Sequence, residues 1–152
     1  MPQCLLPDLD RLGICLGLDC GTPSKRQRDR RTLAQGEYLQ TPHQLEQFEQ
    51  YSGCINCMLC YSACPQYGLD SSFTGPGVLA LLHRYNADSQ DGGRAERMEF
   101  VNTEEGVWTC TAVGYCSIVC PKHVDPANAI NQNKVNSAKD YFLRYLASKG
   151  GT

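Results

Sequence analysis

The sequence predicts an all-α domain that carries two cysteine-bearing loops. Two proline-led helix starts stand at Thr41-Pro42 and Asp125-Pro126, and apolar residues follow them at helical intervals. No stretch alternates apolar and polar residues as a half-buried strand would.

With 152 residues and 41% hydrophobic content, the chain is sized for one ordinary domain, or a small domain with a tail. A net charge of -2 gives no general attraction to nucleic acid or anionic lipid. The longest strictly apolar run, Val78 to Leu82, falls far short of the roughly 20 residues that span a bilayer. Near the N-terminus, Asp8, Asp10 and Arg11 interrupt any apolar stretch of the secretory kind. The expectation is a cytoplasmic protein that does not itself cross a membrane.

Residues 1-36 show little periodicity and are expected to form a flexible segment unassigned to any domain. Their basic run, Lys25, Arg26, Arg28, Arg30 and Arg31, lacks interleaved aromatics and is read as a solvated stretch, so no nucleic-acid partner is expected. A different texture starts near Tyr38, and residues 37-152 are taken as the folded domain. Thr41 supplies an N-cap, Pro42 an N1 proline and Gln44 the reciprocal residue of a capping box. Leu45, Phe48 and Tyr51 share a face of the helix that follows, which should stop at Gly53. A second helix is expected from Pro76 to about Tyr85, its dense Val78, Leu79, Leu81, Leu82 and Tyr85 forming core. Asn86 to Arg97 reads as a polar loop running into a short helix. From Pro126 to the C-terminus, Ala127, Ile130, Lys134, Val135, Ala138, Phe142 and Leu146 keep helical spacing.

Ten cysteines in a chain expected to meet a reducing compartment point to metal binding rather than disulfides. Cys54, Cys57, Cys60 and Cys64, with Pro65 next, spell C-x2-C-x2-C-x3-C-P, the run with which bacterial two-cluster ferredoxins hold cubane iron-sulfur clusters. The stretch from Cys110 through Cys116 and Cys120 to Pro121 is the same motif with Val113 in place of the second cysteine. This is an internal repeat with one ligand missing, because valine cannot coordinate iron. In two-cluster ferredoxins the fourth cysteine of each run serves the other cluster. Cys54, Cys57, Cys60 and Cys120 are therefore expected to hold a 4Fe-4S cluster, and Cys64, Cys110 and Cys116 a 3Fe-4S cluster. The exchange should place the clusters close together and couple metal binding to folding.

Zinc bound by Cys54, Cys57, Cys116 and Cys120 is the alternative, but it leaves Cys60, Cys64 and Cys110 unexplained. Cys15 and Cys20 have the opening spacing of a plant-type 2Fe-2S site without its continuation. With Cys4, they are read as ordinary reduced thiols, so no complete 2Fe-2S site is expected.

The segments SGCINCMLCYSACPQYGL, GPGVLALLHRYNADS and GVWTCTAVGYCSIVCPKHVDP closely resemble the iron-sulfur subunits of fumarate reductase and succinate dehydrogenase. The likeness runs from about Tyr38 to the last helix. Thr111 after Cys110, and the lack of tryptophan shortly after Pro65, look more like the fumarate reductase branch. The resemblance implies an alpha-helical ferredoxin-like domain that carries electrons without an active site of its own. The implied partners are a flavoprotein subunit, membrane-anchor subunits and menaquinone or ubiquinone. The implied location is peripheral, on the cytoplasmic side of the inner membrane. It also implies that Thr111 and Lys134 lie near the quinone. Trp108, Tyr115 and His123 are expected to pack around the clusters and limit water. Family members carry an N-terminal 2Fe-2S domain, for which this sequence offers only its unmatched first 36 residues. A fragment, a displaced reading frame or a separately encoded 2Fe-2S partner would each account for that. The rival readings are a subunit of another redox complex, such as a heterodisulfide reductase-like enzyme, and a zinc-binding nucleic-acid module. Val113 argues against the first, whose members usually carry two complete four-cysteine runs.

Overall fold

A computed structural model describes residues 40–149. The expectations for residues 1-36, including the basic run and Cys4, Cys15 and Cys20, lie outside the described residues. Those residues form α1 (Pro42–Glu46), α2 (Glu49–Ser52), α3 (Leu59–Ser62), α4 (Pro65–Leu69), α5 (Pro76–Ala87), α6 (Arg94–Val101), a 3-10 turn (Val107–Thr109), α7 (Tyr115–Ile118) and α8 (Pro126–Lys149), with no strand among them.

The capping box forms as the sequence predicts. Gln44 N donates to Thr41 Oγ1 at 3.3 Å, and Thr41 N donates to Gln44 Oε1 at 2.9 Å. The single helix expected from Pro42 to Gly53 is instead broken at Phe48, whose φ of -129° and ψ of -6° end α1 and start α2. The break turns Phe48 and Tyr51 inward while Leu45 stays exposed, and the Arg84 guanidinium covers the Phe48 ring at 5.3 Å.

Helix α5 packs lengthwise against α8 and forms the centre of the body. Its Pro76 occupies N1, where the missing N–H costs nothing. Val78, Leu79 and Leu82 join Phe73, Met98, Val101, Val107 and Ile130 in the larger core. A smaller core of Tyr51, Ala80, Val124 and Ala129 lies on the other side of α5. The polar loop before α6 is tied down by buried Arg97, which pairs with Asp91 at 2.5 Å and donates to Asn86 Oδ1 at 2.8 Å.

Helix α8 buries a line of residues partly different from the apolar one read from the sequence. Ala129, Ile130, Asn133 and Ser137 face inward, whereas Val135, Phe142 and Leu146 face solvent. Asn133 is accommodated because its Nδ2 donates to Leu79 O at 3.0 Å and its Oδ1 meets His83 Nδ1 at 3.2 Å. From Tyr141 to Leu146 the described side chains are all exposed, so apolar spacing there marks a face with no covering element among the described residues. None of the described helices is long and apolar enough to cross a membrane.

Candidate metal centres

Seven cysteines of the two runs sort into two hollows. Cys54, Cys57, Cys60 and Cys120 line the first, of about 520 Å³, together with Tyr61, Gly77 and Val124. Cys64, Cys110 and Cys116 line the second, of about 320 Å³, together with Val113, Phe73 and Ile130. Each run thus sends its last cysteine to the hollow lined by the other run. The smaller core abuts Cys54 and Cys120, and the larger core abuts Cys64 and Cys110. Each hollow is walled on one side by well-packed apolar residues.

The two loops repeat in backbone as well as in sequence. Asn56 and Met58 take positive φ of 54° and 61°, and their counterparts Ala112 and Gly114 take 57° and 84°. Only Gly114 does so without a Cβ penalty. In both loops a one-turn helix follows, α3 or α7, and these two helices pack together. Alternation of left- and right-handed residues turns successive N–H groups toward one side, the arrangement that cradles anionic groups. Two backbone N–H groups reach cysteine sulfur: Ala112 N donates to Cys110 Sγ and Val124 N donates to Cys120 Sγ, each at 3.4 Å.

The residue after the third ligand position of each run, Cys60 and Cys116, anchors the loop to a long helix. Tyr61 Oη donates to Thr74 O at 3.0 Å and accepts from Val78 N at 3.2 Å, an N–H in the first turn of α5. Ser117 Oγ donates to Asp125 Oδ1 at 2.6 Å and accepts from Ala127 N at 3.0 Å, in the first turn of α8. Both hydroxyls therefore satisfy amides that a helix start leaves unpaired. Asp125 completes the second cap by accepting from Asn128 N at 3.1 Å, as the sequence predicts. The Tyr61 ring fits only because two glycines flank it. A Cβ on Gly75, which has φ of 90°, would lie 2.1 Å from Tyr61 Cε1, and one on Gly77 would lie 2.8 Å from Cε2.

Electrostatics couple thiols within each hollow and between the two. Burial first, then neighbouring Cys54, Cys116 and Cys57, pushes the Cys60 thiol up to about 12. Burial, with Cys110 and Cys64, also raises the Cys116 thiol. Crowded, desolvated thiols resist ionising together, and positive iron would relieve that cost. Among the described residues no three Cys, His, Asp or Glu side chains stand close enough to hold one metal ion. The thiols ring a hollow instead of converging on a point, a spacing that suits a multi-iron group better than a tetrahedral zinc.

Of the other residues singled out in the sequence, Lys134 is half-buried and its Nζ donates to Cys110 O at 2.7 Å, beside exposed Thr111. Tyr115 borders the second hollow but is half exposed. Trp108, also half exposed, lies apart from both hollows in a groove with Ser137, Tyr141 and Phe142. His123 is exposed, and its carbonyl accepts from Gln50 Nε2 at 3.0 Å. Shielding of the hollows falls mainly to Tyr61, Phe73, Val78 and Ile130. The roles of Tyr61 and Ser117 escaped the sequence reading, although the repeat register places both right after the third motif position.

The model of the 4Fe-4S dicluster domain matches residues 47–121. The fumarate reductase iron-sulfur subunit of Haemophilus influenzae is 61% identical over 111 residues, covering 73% of this chain and 43% of that protein. That of Mycobacterium tuberculosis is 50% identical over 123 residues, covering 81% and 50%. A more distant relative, the succinate dehydrogenase iron-sulfur subunit of Coxiella burnetii, is 35% identical over 99 residues, covering 64% and 42%. The chain spans about half the length of these curated relatives. Across the matched region, with its two cysteine runs and dicluster domain, the chain is homologous to fumarate reductase iron-sulfur subunits and, more distantly, to those of succinate dehydrogenase.

Proposed function

We propose that this chain is the electron-transfer iron-sulfur part of a quinol-fumarate reductase or succinate dehydrogenase complex, with no active site of its own. In this reading Cys54, Cys57, Cys60 and Cys120 hold a 4Fe-4S cluster. Cys64, Cys110 and Cys116 hold a 3Fe-4S cluster, and Val113 occupies the corner where a fourth ligand would stand. The observation that carries it is the division of the thiols into a set of four around the larger hollow and a set of three, with Val113, around the smaller. When bound, such clusters supply reversible one-electron storage at potentials set by charge, hydrogen bonds to sulfur and solvent exposure.

The chain's own residues do the rest. The N–H groups of left-handed Ala112 and of Val124 aim at the sulfurs of Cys110 and Cys120, the apolar walls keep water from the buried side, and the helix caps fix the loops. The side chain of Lys134, held on the Cys110 carbonyl, fixes an ammonium beside the loop of the second hollow. That arrangement, with exposed Thr111 next to it, supports a quinone-proximal role for both residues. Exposed Leu69, Ile118, Tyr141, Phe142 and Leu143 support docking to a flavoprotein subunit and membrane-anchor subunits. The chain would then sit peripherally on the cytoplasmic face of the membrane.

Iron and acid-labile sulfide analysis, with electron paramagnetic resonance on the anaerobically purified and then air-oxidised protein, tests the assignment. The expected result is iron for one 4Fe-4S and one 3Fe-4S cluster, with a 3Fe signal in the oxidised state. Val113→Cys should abolish that signal and raise the iron content by one per chain. Zinc in place of iron would sink the electron-transfer reading. A persistent 3Fe signal in a correctly folded Val113→Cys protein would sink the placement of the missing ligand.

A further inference from the structure

Asn56 and Ala112 hold the same place in the two cysteine loops, share the same left-handed backbone, and differ in what they offer the sulfur two residues before them. Asn56 is half-buried, and its side-chain amide meets Cys54, whose Sγ donates to Oδ1 at 3.5 Å in the thiol form. Ala112 has no polar side chain, and only its backbone N–H approaches the corresponding Cys110 Sγ, at 3.4 Å. The two loops are therefore matched in backbone and unequal in hydrogen bonding.

We propose that Asn56 is a positioning residue that sets the potential of the first cluster through the Cys54 sulfur, an adjustment the second loop lacks. This rests on the assignment of Cys54 to the 4Fe-4S cluster. A cysteine that ligates iron has lost its proton, so it can no longer donate to Oδ1. A half-turn of the amide presents Nδ2–H to the sulfur instead, because the two ends of an Asn amide are nearly the same shape. An N–H donor to a cluster thiolate favours the more negative, reduced state and so raises the reduction potential. The plainer explanation is that Asn stands at position 56 because it tolerates positive φ better than other side chains. That explanation predicts no electronic effect when glycine, which tolerates it at least as well, replaces it.

The test is a potentiometric titration of the cluster-loaded full chain, followed by electron paramagnetic resonance so that each cluster is read separately. Asn56→Gly should shift the first cluster to lower potential and leave the second unmoved. Asn56→Asp, equally at ease in the backbone but bringing a negative charge, should shift the first cluster further down. Ala112→Asn, which supplies the missing amide to the second loop, should shift the second cluster up and leave the first alone. A first-cluster potential that stays at or rises above the wild-type value in Asn56→Gly, with iron and sulfide content intact, would overturn the role of Asn56 while leaving the ligand assignment standing. Wild-type protein with no 4Fe-4S cluster by iron and sulfide analysis would bring down the assignment, and the inference with it.

Discussion

His83 is a buried imidazole in the packed centre of the molecule, edge-on to the Tyr51 ring with centroids 4.8 Å apart. Because Asn133 Nδ2 is committed to the Leu79 carbonyl, Asn133 Oδ1 is left to accept, which assigns the proton to His83 Nδ1. Burial lowers the pKa of His83 below the usual histidine value, and the hydrogen bond to Asn133 only partly offsets it. The unfolded chain therefore binds more protons than the native one in the window just below the unperturbed value, so stability rises with pH there. The contribution is fully present above the unfolded pKa of about 6.5 and is lost as pH falls through the lower folded value. Urea midpoints of the loaded protein measured between pH 7.5 and pH 5 should fall on acidification. His83→Gln should be less stable at neutral pH and show a flatter profile. Equal slopes for the two proteins would remove His83 as the source.

At the scale of elements, the two short helices α3 and α7 are too brief to persist alone. They are held because each loop is anchored by a hydroxyl capping a long helix, and bound clusters would anchor it a second time. Tyr61→Phe keeps the ring between Gly75 and Gly77 but leaves the Val78 N–H without its acceptor. It should cost about 1–3 kcal/mol, the usual range for an orphaned buried donor. Ser117→Ala should cost about 1 kcal/mol, since Asp125 still caps the third amide of α8. Denaturant midpoints of the loaded variants check both values. A loss for Ser117→Ala as large as for Tyr61→Phe would show that the two anchors are not ranked by how much of the cap each supplies.

Across the whole molecule, the thiols are where the two halves of the sequence meet. Cys116, from the second run, lies close enough to Cys60 of the first to raise the cost of ionising it. Each hollow is lined by cysteines of both runs, so a bound cluster would tie together loops that begin at Cys54 and Cys110. Removing iron with a chelator under reducing conditions should therefore loosen both loops together, with loss of helical circular dichroism and of thermal cooperativity. The α5 and α8 pair, with its own apolar core, should retain the most protection in hydrogen exchange. Unchanged helicity and melting after complete iron loss would count against the coupling of cluster binding to folding.

The sequence by itself determined the helical class, the helix starts at Pro42, Pro76 and Pro126, and the two repeated cysteine runs with Val113 in place of one cysteine. Each of these rests on a local rule, such as a cap, a proline or a ligand spacing, which is written in adjacent residues. Only the tertiary structure decided that the first helix breaks at Phe48, that Ala129, Asn133 and Ser137 share the buried line of α8 with Ile130, and that Trp108 faces a groove away from the hollows. Those outcomes depend on which neighbour is present to cover a face, and periodicity records only that a face is apolar. The same holds for Tyr61 and Ser117: their hydroxyls became helix caps because folding brought distant amides within reach, a contact that spacing along the chain does not encode.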